Sequence, residues 1–323
     1  MIAFVTGAAG FVGSHLVDRL LSLGHSVIGY DNFSTGHEEF LFRAREHAQF
    51  RLERGDVLDL DRMQSAMTGS DIVFHLAANA DVRFGTRHPR KDLEQNTIGT
   101  WNVLEAMRRR EVRRIAFAST GSVYGEPNVF PTPEDNVFPI QTSLYGASKV
   151  AAEALIEAYC EGFDMQSYIF RFVSILGPRY THGHIIDFYA QLREHPDVLY
   201  VLGNGRQRKS YLHVYDCTDA MLCAVHNIGA KVNRFNLGTS EYCEVSQSVR
   251  WITESMGLCP TLIYSGGERG WTGDSPFIFL DCARMRSLGW SPRFSIRDAV
   301  IGTVRYLESN QHVIPQAARR NAS

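Results

Sequence analysis

The chain has 323 residues, of which 44% are hydrophobic and 21% are charged, and its formal net charge at pH 7 is −2. This balance is typical of a globular protein with one large domain or two coupled ones, and it excludes a strongly basic nucleic-acid-binding protein. No apolar run approaches the roughly 18 residues that a membrane span needs. The first predicted strand begins at Met1 or Ile2, so we expect no signal peptide and a cytoplasmic location.

The six cysteines are scattered between Cys160 and Cys282, and none of them forms a Cys-x-x-Cys pair. We therefore expect reduced thiols rather than a zinc site or a disulfide framework. Among the twelve histidines, the spacing closest to that of a metal site is His182-Gly183-His184. A substrate loop explains these residues better than a metal site, and we predict no metal.

The chain opens with a predicted strand, helix and strand. An apolar run at Ile2–Val5 leads into a glycine-rich turn, a helical pattern follows over Ser14–Leu23, and Ser26–Tyr30 forms a second apolar run. Short apolar strands then keep alternating with helical patterns, which implies a parallel sheet covered by helices on both faces. The later strands are expected at Phe50–Arg54, Asp71–Leu76, Arg114–Ala118 and Gln166–Phe172, and the later helices at about 93–109, at about 145–161 and within Tyr211–His226.

The first turn has a dinucleotide-binding pattern. Gly7, Gly10 and Gly13 follow the first strand at a spacing of three, which lets the backbone approach a pyrophosphate at a helix N-terminus. Asp31 ends the second strand, where its carboxylate would bind the adenosine ribose and repel a 2′-phosphate. The pattern therefore predicts NAD rather than NADP. Asp56 follows the third strand and either meets the adenine or is an ordinary surface residue.

A second pattern indicates proton-transfer chemistry. Tyr145 and Lys149 are four residues apart, so they lie on one face of a predicted helix, one turn from each other. A free phenol has a pKa of about 10, and an ammonium group one turn away should lower it. The pair is a candidate general base, although this spacing alone is a weak signal. Beside a nicotinamide, such a base could move a proton together with a hydride.

Further motifs extend through nearly the whole chain. They are Thr6–Gly13, Tyr30-Asp31-Asn32, Gly55-Asp56, His75–Ala78, Asn96–Thr100, Ser119–Glu126, Tyr145–Lys149, Arg171-Phe172, Leu176-Gly177-Pro178, Ser210–Val214 and Gly273–Pro276. With them the chain resembles the extended short-chain dehydrogenase/reductase family, and within it the nucleotide-sugar epimerases of the UDP-galactose 4-epimerase type. The resemblance implies transient oxidation of a sugar at C4, rotation of the 4-keto sugar, and return of the hydride to the opposite face.

The expected fold is α/β, a Rossmann-type doubly wound parallel sheet with a smaller C-terminal substrate-binding lobe. The regular alternation loosens after Gly177-Pro178. We expect the NAD-binding domain at residues 1–178 with a return segment at about 209–239. The substrate-binding lobe would comprise residues 179–208 and 240–315, and residues 316–323 would form a tail.

The resemblance assigns roles residue by residue. Tyr145 would be the base, Lys149 its activator and a ligand of the nicotinamide ribose. Thr120 would bridge the substrate hydroxyl and Tyr145, unless it only caps the end of a strand. Asn96 corresponds to the asparagine that steadies this region in the family, and a simple helix N-cap is an equal alternative. The remaining cofactor contacts implied are Phe11, Val12, Asn32, Val57, Leu76, Ala77 and Ala78.

Several positions depart from the family pattern. The 4,6-dehydratases have Asp-Glu directly after the threonine, where this chain has Gly121-Ser122, so elimination of water has no evident catalyst. The two arginines that bind the diphosphate in the family correspond to Lys209 and Trp271, with Arg208 and Arg269 nearby. The substrate contacts implied are Thr120, Ser122, Ser174 (an asparagine in most epimerases), Arg208, Lys209 and Arg269.

The favoured function is therefore NAD-dependent C4 epimerisation of a nucleotide-diphosphate sugar of the UDP-glucose/UDP-galactose type. A UDP-uronic-acid epimerase and another NDP-sugar dehydratase or reductase are the alternatives within the family. A non-catalytic NAD-sensing regulator is the alternative from another class, although such proteins often lose the tyrosine or the lysine. The sugar and the nucleotide stay open, because Ile278, at the position that faces the sugar in the family, is of intermediate size.

The expected partner molecules are a nucleotide sugar, most simply a UDP-sugar, and a second copy of the chain, with no nucleic acid and no membrane. In the family, the helices corresponding to 93–109 and 145–161 pair across a two-fold axis into a four-helix bundle. Six apolar residues could support that packing or could face the subunit's own sheet. They are Val103, Leu104, Met107, Ala151, Leu155 and Ala158.

Overall fold

The computed structural model describes residues 1–136, 140–227, 229–271 and 273–314, apart from the side chain of Phe84. The strands in these ranges are numbered in chain order. They are β1 Ile2–Thr6, β2 Ser26–Asp31, β3 Phe50–Arg54, β4 Ile72–His75, β5 Arg114–Thr120, β6 Gln166–Phe172, β7 Ser174–Leu176, β8 Val198–Val201, β9 Arg208–Lys209, β10 Tyr211–His213, β11 Val232–Leu237, β12 Cys243–Glu244, β13 Thr261–Tyr264 and β14 Phe277–Ile278.

The α-helices are numbered in the same way, and short 3₁₀-helices occur at Glu38–Leu41, Gly121–Tyr124 and Gln311–Val313. A π-helix at Leu93–Ile98 runs directly into α6. The α-helices are α1 Phe11–Ser22, α2 Phe42–Arg45, α3 Leu60–Ala66, α4 Val82–Arg87, α5 Pro89–Asp92, α6 Gly99–Arg109, α7 Leu144–Phe163, α8 His184–Glu194, α9 Val214–Asn227, α10 Val245–Met256, α11 Ala283–Ser287 and α12 Ile296–Ser309.

The central sheet has seven strands in the order β11-β6-β5-β4-β1-β2-β3, and every neighbouring pair is parallel. The strand order reverses between β1 and β4, and ligands of such sheets bind at the carboxyl ends of the strands at this switch point. The turns after β1 and β4 meet there, because the Thr6 hydroxyl accepts hydrogen bonds from the backbone N–H groups of Leu76 and Ala77, both at 3.2 Å. The expected doubly wound α/β fold is confirmed.

Apolar side chains cover both faces of the sheet, which is why its strands read as continuous apolar runs. Helices α1 and α9 pack on one face, with Leu16, Leu20 and Met221 in its core. Helices α3, α6 and α7 pack on the other face, where Met107 and Ile156 belong to the core. Neither face of the central sheet is left open, so its ligand site must lie along the strand ends.

A second core holds the C-terminal part of the chain together. It is built mainly from α8, α10 and α12 and includes Tyr189, Ile252 and Val304. Three small sheets lie around it: β7 pairs with β10, β8 pairs with β13, and β9 lies between β12 and β14. Strand β11 returns the chain to the edge of the central sheet.

Most of the predicted elements are present with shifts of a few residues at their ends, and β3 and β6 have the predicted bounds. Two predictions need correction. The helix expected over 93–109 begins as a π-helix, and the helix-like segment Tyr211–His226 begins as a strand, because Tyr211–His213 pairs with β7. No helix within the described ranges is long and apolar enough to cross a bilayer.

Candidate active site

The glycine-rich turn between β1 and α1 packs closely against neighbouring backbone. Gly7 has φ +69°, and a Cβ atom there would lie 2.8 Å from the backbone nitrogen of Ala77. A Cβ atom on Gly13 would overlap the carbonyl oxygen of Gly7. Gly10 is the N-cap of α1, and no side chain caps the helix. The first N–H groups of α1, at Phe11 and Val12, therefore suit an anionic pyrophosphate.

Asp31 lies beside this turn and is 8% exposed. Its Oδ2 accepts a hydrogen bond from the backbone of Ala9 at 2.9 Å, and its Oδ1 accepts one from Phe33 at 2.8 Å. Burial raises the pKa of Asp31, and these two bonds oppose the rise. Each oxygen keeps a further acceptor position for a ribose hydroxyl.

The other expected cofactor contacts follow neighbouring strands at the same edge of the sheet. Asn32 donates from Nδ2 to Asp56 Oδ2 at 2.8 Å, and Asp56 Oδ1 accepts from the backbone of Leu58 at 2.9 Å. These bonds hold the turns after β2 and β3 together. Val57 is buried next to Asp56, and Leu76, Ala77 and Ala78 are partly exposed after β4. The residues present along this edge thus fit an extended dinucleotide.

Tyr145 and Thr120 meet between the end of β5 and the start of α7. The side chain of Ser143 caps α7 by accepting a hydrogen bond from the backbone of Gly146 at 3.0 Å, which fixes where the helix begins. The hydroxyl groups of Tyr145 and Thr120 are joined by a hydrogen bond. Thr120 also donates to the hydroxyl of Ser122 at 3.3 Å. The hydroxyls of Ser122 and Thr120 therefore form a line that ends at the phenol.

Lys149 lies one turn further along α7 and is 2% exposed. Its Nζ donates to the carbonyl oxygen of Ala118 at 2.8 Å and lies 4.6 Å from the ring centre of Phe117. Burial lowers the pKa of Lys149 to about 7, and the charges of Glu153 and Asp92 oppose this shift. Near neutral pH, Lys149 can therefore either hold or release its proton, whereas a surface lysine stays protonated.

The pKa of Tyr145 does not follow the sequence-based prediction. Burial raises it to about 12, the hydrogen bond with Thr120 opposes the rise, and the charge of Asp92 adds to it. The expected lowering of the pKa by Lys149 is not found in the protein alone, where the loss of solvation is the largest cause and raises the pKa. A phenolate at Tyr145 therefore needs additional positive charge close to the ring.

Asn96 links the turn after β4 to α7. It lies inside the π-helix, so the N-cap interpretation is wrong. Its Oδ1 accepts from the backbone of Asn79 at 2.8 Å, and its Nδ2 donates to the Ser148 hydroxyl at 2.9 Å. Sequence reasoning missed both partners, and the only local signal was a hydroxyl residue next to Lys149.

The position after Thr120 is tightly packed. A Cβ atom on Gly121 would lie 3.3 Å from the carbonyl oxygen of Phe172 and 3.4 Å from a methyl group of Ile278. A side chain there would therefore require these neighbours to shift slightly. Ser122 donates its backbone N–H to the Thr120 hydroxyl at 3.1 Å.

The structure does not bring Arg208 and Lys209 together. They are adjacent on β9, so their side chains point to opposite sides. The guanidinium carbon of Arg208 lies 3.9 Å from the ring centre of Phe277. Lys209 Nζ lies 2.6 Å from Asp274 Oδ1 and also donates to the carbonyl oxygen of Ser275. Its side chain is 13% exposed and that of Asp274 is 3% exposed, so this ion pair is buried.

The other expected substrate contacts are more exposed. Arg269 forms an ion pair with Glu126 at 2.5 Å, and both side chains are more than 40% exposed. Trp271, which replaces an arginine of the family pattern, has its ring 5.9 Å from the guanidinium carbon of Arg83. Ser174 is exposed on β7. A bound diphosphate could therefore recruit Arg269 by displacing Glu126.

The two histidines with metal-like spacing point in different directions. His184 stacks on Tyr211 and forms a hydrogen bond with the Ser248 hydroxyl at 3.0 Å. His182 stacks on Tyr180. No group of three or more histidine, cysteine or acidic side chains that could bind a metal is found among the residues that the structure describes.

Comparison with known proteins decides the family. The model of the NAD dependent epimerase/dehydratase family matches residues 3–238. The chain belongs to this family. NAD is therefore its cofactor, and the family acts on nucleotide sugars. The residues described along the carboxyl edge of the sheet fit this cofactor.

Three similar proteins show how widely the chemistry varies on this scaffold. A UDP-glucose 4-epimerase of Mycolicibacterium smegmatis is 32% identical over 96% of this chain and 99% of its own length. UDP-glucuronic acid decarboxylase 1 of Arabidopsis thaliana is 32% identical over 92% of this chain and 67% of its own. The structure of a UDP-glucuronic acid 4-epimerase from Bacillus cereus with UDP-glucuronic acid and NAD has a TM-score of 0.87 at 25% identity, covering 96% and 99% of the two chains.

In this epimerase/dehydratase, a buried ion pair that sequence reasoning missed supports the reaction site from behind. Arg171 of β6 lies 2.6 Å from Glu153 of α7. The same arginine donates to the Tyr124 hydroxyl at 2.8 Å, and Glu153 accepts a hydrogen bond from Ser119. These contacts join β5, β6 and α7 directly behind Thr120. Glu153 follows Lys149 by four residues, which was the available signal.

Proposed function

We propose that this protein is an isomerase that interconverts UDP-glucose and UDP-galactose through a transient 4-keto sugar. The observation that carries the proposal is the hydrogen-bonded pair of Thr120 and Tyr145, with Lys149 buried one turn away and no carboxylate at Gly121 or Ser122. This arrangement provides one site for proton exchange at one sugar hydroxyl. A reversible oxidation at a single carbon needs no more than that.

The reaction proceeds by proton exchange at Tyr145. Thr120 orients the C4 hydroxyl of the sugar, and Tyr145 takes its proton as the hydride leaves C4. NAD, when bound, would supply the acceptor and later the donor of that hydride, and the positive charge of its ring would favour the phenolate form of Tyr145. Lys149 adds positive charge on the same side. After the 4-keto sugar has rotated, Tyr145 returns the proton to the oxygen at C4.

The C-terminal lobe, residues 179–208 and 240–315, would hold the nucleotide and its diphosphate. Two negative charges in a partly buried site need charged donors. Lys209 faces the interior of this lobe, and Arg269 lies at its rim. Arg208 stays outside, against Phe277.

A neutral hexose fits this lobe better than a uronic acid. Lys209, Arg269 and Arg83 each already face a carboxylate, at 2.6 Å, 2.5 Å and 3.0 Å respectively. The diphosphate would bind Lys209 and Arg269, the two cations proposed for it. A uronate would add one more anion at the sugar end, and a UDP-uronic-acid epimerase or decarboxylase would have to accept it.

A dehydratase and a non-catalytic NAD-sensing regulator are less well supported than the epimerase. A dehydratase needs an acid and a base beside the sugar, and this chain has Gly121 and Ser122 directly after Thr120. A regulator has no use for a phenol hydrogen-bonded to Thr120 and a lysine buried to 2% exposure. The buried lysine costs stability, and catalysis explains it.

We also propose a homodimer. Three of the six residues that could support the packing or face the subunit's own sheet take the second alternative: Val103, Leu104 and Met107 are fully buried in the subunit's own core. The outer side of the same helices instead exposes Ile98 to 40% and Trp101 to 41%. The three residues of α7 that could support the packing range from partly exposed to exposed, and a second copy could cover this surface. They are Ala151, Leu155 and Ala158.

The test is a panel of UDP-, dTDP-, GDP- and CDP-sugars, including UDP-glucuronic acid, with products identified by NMR. The proposal expects UDP-glucose and UDP-galactose to interconvert without net NADH. Tyr145→Phe should reduce turnover by at least about 10³-fold and still bind NAD, because only the proton acceptor is lost. Conversion of UDP-glucuronic acid alone, to a pentose or a galacturonate, would refute the hexose assignment.

A further inference from the structure

A buried carboxylate lies behind the Tyr145–Lys149 pair. Asp92 ends α5 and is 1% exposed. Its Oδ1 accepts hydrogen bonds from Asn79 Nδ2 at 2.7 Å and from Asn96 Nδ2 at 3.4 Å. Its Oδ2 is buried and receives no hydrogen bond from any residue that the structure describes. A carboxylate oxygen in this state is costly unless a nearby cation compensates its charge.

The backbone of α4 closes the space around that oxygen. A Cβ atom built on Gly85 would overlap Asp92 Oδ2. A side chain at position 85 would therefore displace the carboxylate. With glycine there, Oδ2 stays buried without a hydrogen-bond donor among the residues that the structure describes, whereas Oδ1 accepts from the two asparagines.

The other oxygen is connected to α7 by a chain of hydrogen bonds. Asn96 Nδ2 also donates to the Ser148 hydroxyl at 2.9 Å, and this hydroxyl donates to the carbonyl oxygen of Tyr145 at 2.8 Å. Asp92 thus fixes the amide groups of Asn79 and Asn96, and Asn96 fixes the first turn of the helix that carries Tyr145 and Lys149.

Lys149 is the cation that faces Asp92. The charge of Asp92 opposes the lowering of the Lys149 pKa by burial, and the charge of Lys149 opposes the raising of the Asp92 pKa by burial. Glu153 also faces Lys149, but it is paired with Arg171 at 2.6 Å. The remaining titratable neighbours of this pair are His75 of β4, whose pKa burial lowers to about 3, Asp81 before α4, and Tyr145 itself.

We propose that Asp92 is a positioning residue of this enzyme: its carboxylate keeps the buried Lys149 as an ammonium ion and, through Asn96 and Ser148, holds the helix that carries Tyr145. The inference rests on the proposed role of Tyr145 and Lys149 in the reaction. Gly85 contributes to this arrangement, because a Cβ atom at this position would overlap Oδ2 of Asp92.

The first test reads the charge of Lys149 directly. Asp92→Asn keeps the shape and the acceptor oxygen and removes the charge. Lysine labelled with ¹³C at Cε gives a small set of NMR signals, and Lys149→Met identifies the one that matters. The labelled lysines are Lys91, Lys149, Lys209 and Lys231.

The titration midpoint of Lys149 should fall by about one pH unit in Asp92→Asn. Glu94→Gln is the matched control, because it removes a carboxylate that is paired with the exposed Arg90 at 2.5 Å, and it should leave the midpoint unchanged. An unchanged midpoint in Asp92→Asn overturns the proposal.

The second test uses turnover. In Asp92→Asn the alkaline limb of the pH–rate profile should move to lower pH, and kcat should fall at least about tenfold with little change in KM. Ser148→Ala, which cuts the hydrogen-bond chain and keeps the charge, should lower kcat without moving that limb. A fall in kcat with an unmoved limb in Asp92→Asn means a merely structural role and contradicts the proposal.

The test of Asp92 still gives an answer if Asp92→Asn does not fold or if the protein is inactive on UDP-sugars. If Asp92→Asn does not fold, Gly85→Ala, whose methyl group displaces the carboxylate, must lower the Lys149 midpoint in the same direction. The NMR titration needs no substrate. A protein inactive on every UDP-sugar would therefore refute the proposed function and leave the result for Asp92 standing.

Discussion

The burial of Lys149 shows most plainly how the reaction site lowers the folding stability of the protein. A lysine with 2% exposure has lost nearly all of its hydration, and in the part of the chain that the structure describes its neutral partners are the carbonyl oxygen of Ala118 and the ring of Phe117. Its charge is supported by Asp92 and Glu153 rather than by water. Natural proteins accept such a burden mainly at functional sites.

The cost of burying Lys149 should make the folding stability depend on pH. Folding lowers the pKa of Lys149 from 10.5 to about 7. Below the folded value, both states bind the proton and the folded state bears the full desolvation cost. Between the two values only the unfolded state binds it, so folding stability rises with pH, by up to about 1.4 kcal/mol per pH unit. The stability of Lys149→Met relative to that of the unaltered NAD-free protein should therefore be highest below pH 7 and should fall as the pH rises.

Urea unfolding at pH 6 and pH 9 measures this effect. Lys231→Met is the matched control, because the side chain of Lys231 is 47% exposed on the surface, and it should change stability little at either pH. An equal gain for Lys149→Met at both values would mean that its burial does not shift its proton affinity.

Asp31 should make the protein select NAD over NADP. Its carboxylate lies at the end of β2 with an acceptor position free on each oxygen, where a 2′-phosphate would meet a like charge. NAD should bind at least about tenfold more tightly than NADP. Asp31→Asn, which keeps an acceptor oxygen and removes the charge, should narrow that ratio. Calorimetry with both nucleotides decides, and equal affinities in the unaltered protein would contradict the ribose contact.

Among the elements, the segment from the π-helix to α7 shows where sequence reasoning ends. Strands and helices around it were predictable, because their periodicity is local. The π-helix was not, since its centre, Asn96, is held by Asn79 and Ser148, which lie 17 and 52 residues away. Motifs placed Tyr145 and Lys149, but the raised pKa of Tyr145 depends on burial that no motif encodes.

The loop that carries Arg269 should respond to the diphosphate. Arg269 lies on the segment between β13 and β14, where it bonds to Glu126 in the absence of a ligand. Arg269→Ala should weaken UDP-sugar binding by ~1.5–3 kcal/mol, the range for hydrogen bonds to charged groups, and NAD binding should barely change. Arg208→Ala is the control. It removes a guanidinium group that packs against Phe277 outside the proposed site, and it should leave the affinities for the UDP-sugar and for NAD unaltered. Unchanged calorimetric affinity for UDP and the UDP-sugar in Arg269→Ala would remove this residue from the site.

For the whole molecule, the exposed side of α6 and α7 predicts the state of assembly. Light scattering at micromolar concentration should give the mass of two chains. Trp101→Glu places a charge on the proposed contact and should shift the mass towards that of one chain, whereas Phe42→Glu, at a residue that is 59% exposed elsewhere on the surface, should not. A single-chain mass for the unaltered protein would contradict the homodimer.

The proposed reaction depends on a hydride that leaves C4 of the sugar and returns to the same carbon. UDP-glucose carrying deuterium at C4 tests this most directly, with the product followed by NMR and mass spectrometry. We predict UDP-galactose that retains the deuterium at C4, with no accumulation of NADH. Loss of the label to solvent, or the absence of a galacto product, would contradict transient oxidation at C4 as the reaction of this enzyme.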